Sequence, residues 1–410
     1  MKNYPTNKLK ILNDPIYGFI RIPNSLIFDI IEHPSFQRLR RVSQMGFSNL
    51  VYPGANHTRF HHALGCLHLM QKTVNVLRVK GIDISEDEEN ALYIAILLHD
   101  IGHGAFSHAL EHSIVTGITH EEISLKYMHQ LNKEFDGQLD LAISVFNGEY
   151  HRKFLHQLIT SQLDIDRLDY LKRDSFYTGV AEGNISSDRL IAMINVVDNE
   201  LVIEKKGIYS VEKFLIARRL MYWQVYLHKT VLSAEFLLAK ILERAREILL
   251  SGSKLFVVPS LKILLSQKIT SDNISQIDFL KSFSKVDDYD VFTCVKIWCD
   301  SQDKIISSLS KMMIERNLPK VKISAQKFSL EEVENCKSVH QKNLGFNNEE
   351  MNYFVYQKEM ENNAYDPRKD EIKILFNDGS LKDITQASDN LNISALAKPV
   401  KKYYLFAPYF

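Results

Sequence analysis

Little in this chain marks it for the oxidising, membrane-bound or strongly basic classes of protein. Its 410 residues hold four cysteines, Cys66, Cys294, Cys299 and Cys336, with no CxxC pair and no disulfide-framework spacing. They read as reduced thiols, Cys66 as a core residue. No segment reaches 18 uninterrupted apolar residues, and MKNYPTNKLKIL lacks a signal-sequence core, so a soluble, cytoplasmic protein with no membrane partner is expected. Neither sign of charge is in excess, since 50 Lys plus Arg balance 50 Asp plus Glu. That balance leaves no overall footprint for nucleic acid. Lys398, Lys401 and Lys402 are too few to make a local one and read as a solvated end. Internal repeats and low-complexity linkers are absent. With 45% hydrophobic and 24% charged residues, what remains is an ordinary globular composition with ample core.

Ala91 to Glu111 breaks this plain background, reading ALYIAILLHDIGHGAFSHALE. Ala91, Leu92, Ile94, Ala95, Ile96, Leu97 and Leu98 form a run with no polar face, which predicts a buried helix delivering its last turn into the interior. His99 and Asp100 arrive there together, where unpaired polar groups are costly. A metal ion satisfies both, because imidazole nitrogen and carboxylate oxygen are divalent-metal ligands. Gly102 and Gly104 bracket His103, ending the helix and letting the backbone approach a ligand. His108 and Glu111 follow in the same stretch. A lone histidine on a helix is most often a satisfied core or surface residue, and recurrence across distant segments is what changes the reading. His62 follows a loop-to-helix entry, and Asp166 lies in an acidic segment 66 positions beyond Asp100. Two imidazoles and two carboxylates offset a divalent cation and leave positions for water and a phosphate oxygen.

Along the chain, KLKILNDPIYGFIRI (8–22) predicts a short hairpin or extended arm. Helical periodicity runs from Ser25 to Met45, and FQRLRRVSQMG taken alone is an amphipathic helix with a solvated basic face. After Pro53-Gly54 comes a long helix whose start carries His57, Arg59, His61 and His62, and another helix opens at His120. SQLDIDRLDYLKRDSFYTG (161–179) sets Asp164, Asp166, Asp169 and Asp174 around Arg167, Lys172 and Arg173. ELVIEKKGIYSVEKF predicts a hairpin turning at Lys206-Gly207, and a long helical stretch spans Val211 to Leu250. Past Ser251-Gly252-Ser253 the chain is richer in Lys, Asp, Asn and Ser. Helices are expected over about 274–285 and 289–316, and strands in LPKVKIS, KILFNDGSLKDI and KKYYLFAPYF. The expected architecture is mainly α, with a helical part and N-terminal arm over residues 1–250 and a smaller α+β accessory part over 251–410. His57, His61, His68 and His112 read as structural, Asp164 and Asp169 as salt-bridge or cap residues, and Tyr222 and Trp223 as core.

The set H…HD…D, with HDIGHG closing an apolar helix and DIDRLDY later, resembles the HD-domain phosphohydrolases. Within them the chain is most similar to the deoxynucleoside triphosphate triphosphohydrolases, which include the dGTPases and the catalytic core of the animal SAM-and-HD-domain enzyme. FQRLRRVSQMG, PGANHTRFHHALG, LLHDIGHGAFSHALE, LDIDRLDYLKRD and YLHKT match in order, from Asp14 to Lys229 and more loosely to about residue 320. The resemblance implies an HD-domain helical core and an enzyme cleaving deoxynucleoside triphosphates to deoxynucleoside and inorganic triphosphate. No sterile-alpha-motif domain is expected ahead of the match, so the allosteric apparatus of the animal enzyme is not carried over.

Residue by residue, the resemblance implies His62, His99, Asp100 and Asp166 as metal ligands. It puts His103, Glu111 and His120 in catalysis beside the α-phosphate, Glu111 standing where the family often has Asp, and His108 near the leaving-group oxygen. Arg59, Arg167, Tyr170, Asp174, Arg218 and Lys229 fall at or near contacts to the triphosphate, the sugar or their surroundings, Arg167 where some relatives have Lys. Gln44 falls where the family reads the sugar edge, and Tyr226 is a candidate to stack near the sugar. The cations among these complement a triphosphate. The implied cofactor is a divalent ion (Fe, Mn, Zn, Ni or Mg), with a second Mg²⁺ able to enter with the substrate. A homo-oligomer, dimer or tetramer, and a nucleotide activator are further expectations of the resemblance.

Two other readings compete. One is an HD-superfamily phosphodiesterase or nucleotidase acting on another phosphate ester; the absent Gly-Tyr-Pro signature and the absent Glu-Asp pair after the HD doublet argue against its best-known subclasses. The other is a nucleotide-sensing or nucleic-acid-binding module with little turnover, against which the intact ligand set weighs.

Overall fold

The structure is a computed structural model describing residues 10–106, 117–267, 269, 279–368, 370–390 and 398–409. His108, Glu111 and His112 lie outside the described residues. The N-terminal arm is an antiparallel hairpin, Ile11–Asp14 paired with Gly18–Arg21. Asp14 Oδ1 closes its turn by accepting from the amides of Ile16 and Tyr17. The helical stretch expected to reach Met45 is broken early. Ser25–Glu32 ends at His33, which is extended as the residue before a proline prefers, and short turns Pro34–Gln37 and Arg38–Arg41 follow.

Three helices form the heart of the molecule. Glu86–Leu98 starts at a reciprocal cap between Ser85 and Glu88, and Glu86, Asp87, Glu88 and Glu89 place negative charge at its positive end. From Ala91 to Leu98 every residue is buried, as the apolar run predicts. This helix packs on Arg59–Val79, which packs in turn on Ile165–Thr178. The last two approach closely at Gly65, where a methyl group would overlap Asp169 Oδ1 and Arg173 Nη2. Gly65→Ala is therefore expected to destabilise the fold by about 1–3 kcal/mol or more. The readout is a lowered midpoint of urea unfolding, and an unchanged midpoint would contradict this packing.

Several connections differ from the sequence expectation. The hairpin pairs Ile194–Val197 with Glu200–Glu204 and turns at Asp198-Asn199, not at Lys206-Gly207. Both turn residues are left-handed, with φ of 49° and 64°, a conformation that two-residue hairpin turns need and that Asp and Asn tolerate. Lys205–Gly207 instead leads into Ile208–Met221. The long helix expected to Leu250 is interrupted by a π-helical turn, Tyr222–Tyr226, and resumes as Lys229–Leu250. The helix expected over 289–316 is two, Asp288–Trp298 and Lys304–Ile314, the second capped by Asp303.

In the C-terminal part, Lys320–Ser324 and Tyr356–Asn362 flank Val400–Ala407 in an antiparallel sheet. Lys373–Leu375 pairs in parallel with Glu200–Glu204, joining this part to the helical one. One buried apolar cluster extends from Ile20 to Ala407. No described helix is long and apolar enough to cross a membrane. The fold is mainly α with a smaller α+β C-terminal part.

Candidate functional site

Three helix ends deliver the predicted metal ligands to one point. His62 sits in the first turn of Arg59–Val79, and His99 and Asp100 follow directly on Leu98. Asp166 sits in the first turn of Ile165–Thr178, whose N-terminus Asp164 caps by accepting from Arg167 N at 2.8 Å. His62 Nε2 lies 3.1 Å from Asp166 Oδ1 and 3.6 Å from Asp100 Oδ2. His99 Nε2 lies 3.5 Å from Asp100 Oδ1 and 3.5 Å from Asp166 Oδ1. Donors bound at about 2.0–2.2 Å to one ion stand roughly 3–3.6 Å from each other.

The tautomers agree with that spacing. His99 Nδ1 donates to the Ile96 carbonyl oxygen at 2.6 Å, so in the neutral ring Nε2 carries the lone pair, and among the described residues that buried atom has no hydrogen-bond partner. His62 Nδ1 meets Asp169 Oδ2 at 2.8 Å, which turns its Nε2 toward Asp100 and Asp166 as a ligand. Burial would raise Asp166, but the adjacent His62 and His99 imidazoles hold its carboxyl far below the usual range. Burial would likewise raise Asp100, and His99, Arg59 and His103 outweigh it. Two ionised carboxylates in so closed a place demand positive charge, and the donor set fits a divalent cation. Cys66 Sγ is also near, but it stands 3.6 Å from both nitrogens of His62, against the ring rather than beyond Nε2. Burial pushes this thiol well up, so Asp100 is the better fourth donor.

Behind His62 the polar chain continues. Arg173 donates from Nε to Asp169 Oδ2 at 2.9 Å and from Nη1 to Asp14 Oδ2 at 2.8 Å. His62, Asp169 and Arg173 are fully buried, so the N-terminal hairpin is linked to the metal-facing imidazole through charged hydrogen bonds.

In front of the four donors opens a cavity of about 980 Å³. Asp100, His103, His120 and Asp166 line one end together with Arg59, whose Nη1 bonds Asp100 Oδ2. His103 Nε2 lies 3.4 Å from Asp100 Oδ1, and its ring stacks on that of His120 at 3.9 Å. That juxtaposition is set by Gly102, where any side chain would strike the His120 carbonyl oxygen, and by Ser124. Ser124 Oγ accepts from Gly102 N at 2.9 Å and donates to His99 O at 2.7 Å. Farther along are Gln44, Arg167, Tyr170, Asp174 and Tyr226. Among the described residues, the buried hydroxyl of Tyr170 and Oε1 of Gln44 have no hydrogen-bond partner. Tyr226 donates to Asp174 Oδ2 at 2.8 Å, and His57 Nε2 holds the other oxygen at 2.7 Å. Arg167 Nε donates to Ser161 O at 2.9 Å.

Two of the candidate substrate contacts are not at the cavity wall. Arg218 reaches Gln162 Oε1 at 3.3 Å, and Lys229 is exposed at the start of its helix.

A family model described as "HD domain" matches residues 59–174, and one described as "HD associated region" matches residues 185–255. The crystal structure of a phosphohydrolase from Bacteroides thetaiotaomicron superposes with a TM-score of 0.94 at 52% identity, covering 97% of this chain and 99% of that one. The chain belongs to the HD-domain phosphohydrolases. The uncharacterized protein YwfO of Bacillus subtilis is 34% identical over 327 residues, 77% of this HD-domain chain and 73% of that protein. The deoxynucleoside triphosphate triphosphohydrolase SAMHD1 homolog of Dictyostelium discoideum is 32% identical over 259 residues. That match takes in 58% of this chain and 50% of the relative, so the HD-domain chain spans only about half of that protein.

Sequence reasoning missed part of this HD-domain site. Asp169, read as a salt-bridge or cap residue, does bind Arg173, and it also orients His62; its place three residues after Asp166, on the same face of the helix, was the available signal. Tyr222, read as core, lines the cavity, as do Glu235, Phe236 and Lys240 and the strand residues Tyr356, Lys358 and Met360. No motif flags these last residues.

Proposed function

We propose that this protein is a metal-dependent deoxynucleoside triphosphate triphosphohydrolase, cleaving its substrate to the deoxynucleoside and inorganic triphosphate. One observation carries the reading. Four divalent-metal donors converge at one end of a cavity that continues past Arg59 and Arg167 to the polar group of Gln44, Tyr170, Asp174 and Tyr226. A divalent ion held by His62, His99, Asp100 and Asp166 supplies Lewis acidity and makes water a competent nucleophile near neutral pH. Arg59 and Arg167 face the phosphates, and His103 with His120 stands beside the reacting phosphorus to hold or pass a proton. His108 and Glu111 keep the catalytic roles that the family resemblance implies. Water adds its oxygen to the α-phosphorus, the bond from that phosphorus to the 5′ oxygen breaks, and a proton ends on the 5′ oxygen. Asp174, braced by His57 and Tyr226, and Gln44 meet the sugar. Arg218 and Lys229 act around this set from outside the wall.

The test is product analysis. Purified protein with Mn²⁺ or Mg²⁺ and each deoxynucleoside triphosphate is expected to release inorganic triphosphate. Monophosphate with pyrophosphate would instead support a phosphodiesterase or nucleotidase, and tight binding without turnover a sensing module. Arg59→Ala is expected to lower kcat/KM by about 10-fold to 150-fold, the worth of one charge-assisted contact of roughly 1.5–3 kcal/mol. Steady-state kinetics measures it. The proposal also includes a helical catalytic part over residues 1–250, an accessory part over 251–410, and a homo-oligomer responsive to a nucleotide activator. Light scattering with and without nucleotide tests the last point.

A further inference from the structure

One carboxylate from the C-terminal region reaches two segments of the cavity wall. Asp288, the buried first residue of helix Asp288–Trp298, accepts from Phe106 N through Oδ1 at 2.8 Å and from Ser43 N through Oδ2 at 2.9 Å. Phe106 lies three residues after His103, and Ser43 directly precedes Gln44. His103, Phe106 and Gln44 all line the cavity. The segment around Ser43 also pairs with the entry to helix Arg59–Val79, since Gln44 N donates to His57 O at 3.1 Å and Arg59 N to Val42 O at 3.0 Å. Asp288 is thus bonded to the backbone of the pieces that present His103, Gln44 and Arg59.

Neither Phe106 nor Ser43 belongs to a helix or a strand. Phe106 has a left-handed backbone, with φ of 50°, a conformation that is costly for a bulky residue and persists only where the surroundings impose it. Asp288 holds its amide, and Phe292, one turn further along the same helix, lies against its ring at 5.3 Å. Phe106 in turn stacks flat on Phe47 at 4.6 Å, and Phe47 follows Gly46, a second left-handed residue at the cavity wall. A third tie comes from the residue before the helix, as Arg41 Nε donates to Asp287 Oδ2 at 2.5 Å. One end of a single helix therefore grips both segments, by charge and by ring contact.

We infer that Asp288 is a positioning residue of the active site, a clamp through which the C-terminal region fixes the wall that carries His103 and Gln44. The inference rests on the triphosphohydrolase reading above. A carboxylate suits the task because both of its oxygens accept, one amide each. An asparagine at the same place has one accepting oxygen and one donating NH₂ group, so one of the two amides would face a donor. The four metal donors stand at the ends of three other helices, so metal binding and wall geometry are separable.

The experiment measures kcat, KM and bound Mn²⁺ with each of the four deoxynucleoside triphosphates for wild type, Asp288→Asn, Phe292→Leu and Asp303→Ala, every rate referred to folded, metal-loaded protein. Asp303→Ala is the destabilised control, since it removes the cap of helix Lys304–Ile314 in the same region and away from the cavity wall. Asp288→Asn is expected to lower kcat by about 10-fold to 100-fold, misplacement by about an ångström costing roughly the larger figure, with Mn²⁺ content unchanged. Phe292→Leu should lower kcat in the same direction by less. Asp303→Ala should lower the unfolding midpoint and keep the wild-type kcat. Wild-type kcat in Asp288→Asn, or in Phe292→Leu should Asp288→Asn not fold, overturns the clamp and leaves the triphosphohydrolase reading standing. An equal fall of kcat in Asp303→Ala overturns it too, by making Asp288 one structural residue among others. Failure of wild type to hydrolyse any of the four overturns both readings.

Discussion

Replacing Asp166 by alanine is expected to abolish turnover and to leave the protein without tightly bound divalent metal. Asp166 Oδ1 stands close to both imidazoles, at 3.1 Å from His62 Nε2 and 3.5 Å from His99 Nε2. Without it the remaining set is two neutral imidazoles and Asp100, whose Oδ2 is shared with Arg59. A single carboxylate so shared offsets little of a dipositive charge in a place where unbalanced charge is expensive. Loss of an orienting partner alone typically costs 10–100-fold in metal affinity, and loss of a direct donor is expected to exceed that. Metal content after dialysis and turnover at matched metal loading are the measurements. A variant that turns over as wild type does at matched loading ends the ligand assignment.

Asp169→Asn should produce the second largest effect by a different route. The carboxylate touches no substrate; it fixes His62 from behind and shares Arg173 with Asp14. An amide at this position still accepts from His62 Nδ1 but no longer balances the buried guanidinium. Metal affinity is expected to fall about 10-fold to 100-fold, and stability by up to roughly 3 kcal/mol because the buried guanidinium loses one of its two carboxylate partners and keeps Asp14. Asp14→Asn separates the two consequences. It loosens Arg173 while leaving the bond between Asp169 and His62 intact, so it should lower the unfolding midpoint with a much smaller change in metal affinity. Equal metal affinity for wild type and Asp169→Asn, in folded protein, would contradict the orienting role.

What the sequence disclosed follows the range of the forces involved. The buried helix ending at His99 and Asp100 was legible because eight successive residues, Ala91 to Leu98, lack a solvent face and are buried in the structure. The capping residues and the N-terminal hairpin are equally local. The turn at Asp198-Asn199 was missed because Lys206-Gly207 offered the familiar glycine cue, whereas the chain uses the tolerance of Asp and Asn for positive φ. Strand Tyr356–Asn362 was invisible for another reason. YQKEMEN looks polar because only Tyr356 and Asn362 at its two ends are buried, and its partner Val400–Ala407 lies some forty residues on. Asp169 needed the third dimension, since only the contact of two helices across Gly65 brings it to His62. The family resemblance named the ligands, and the geometry adds why the imidazoles present Nε2.

The central claim, that His62, His99, Asp100 and Asp166 form a divalent-metal centre, is tested most directly by anomalous X-ray scattering from crystals of protein loaded with Mn²⁺. The account predicts one strong peak within about 2.0–2.3 Å of both Nε2 atoms and of one oxygen from each carboxylate. A peak coordinated by Cys66 in place of Asp100, or a protein that binds Mn²⁺ only away from these four residues, would contradict it.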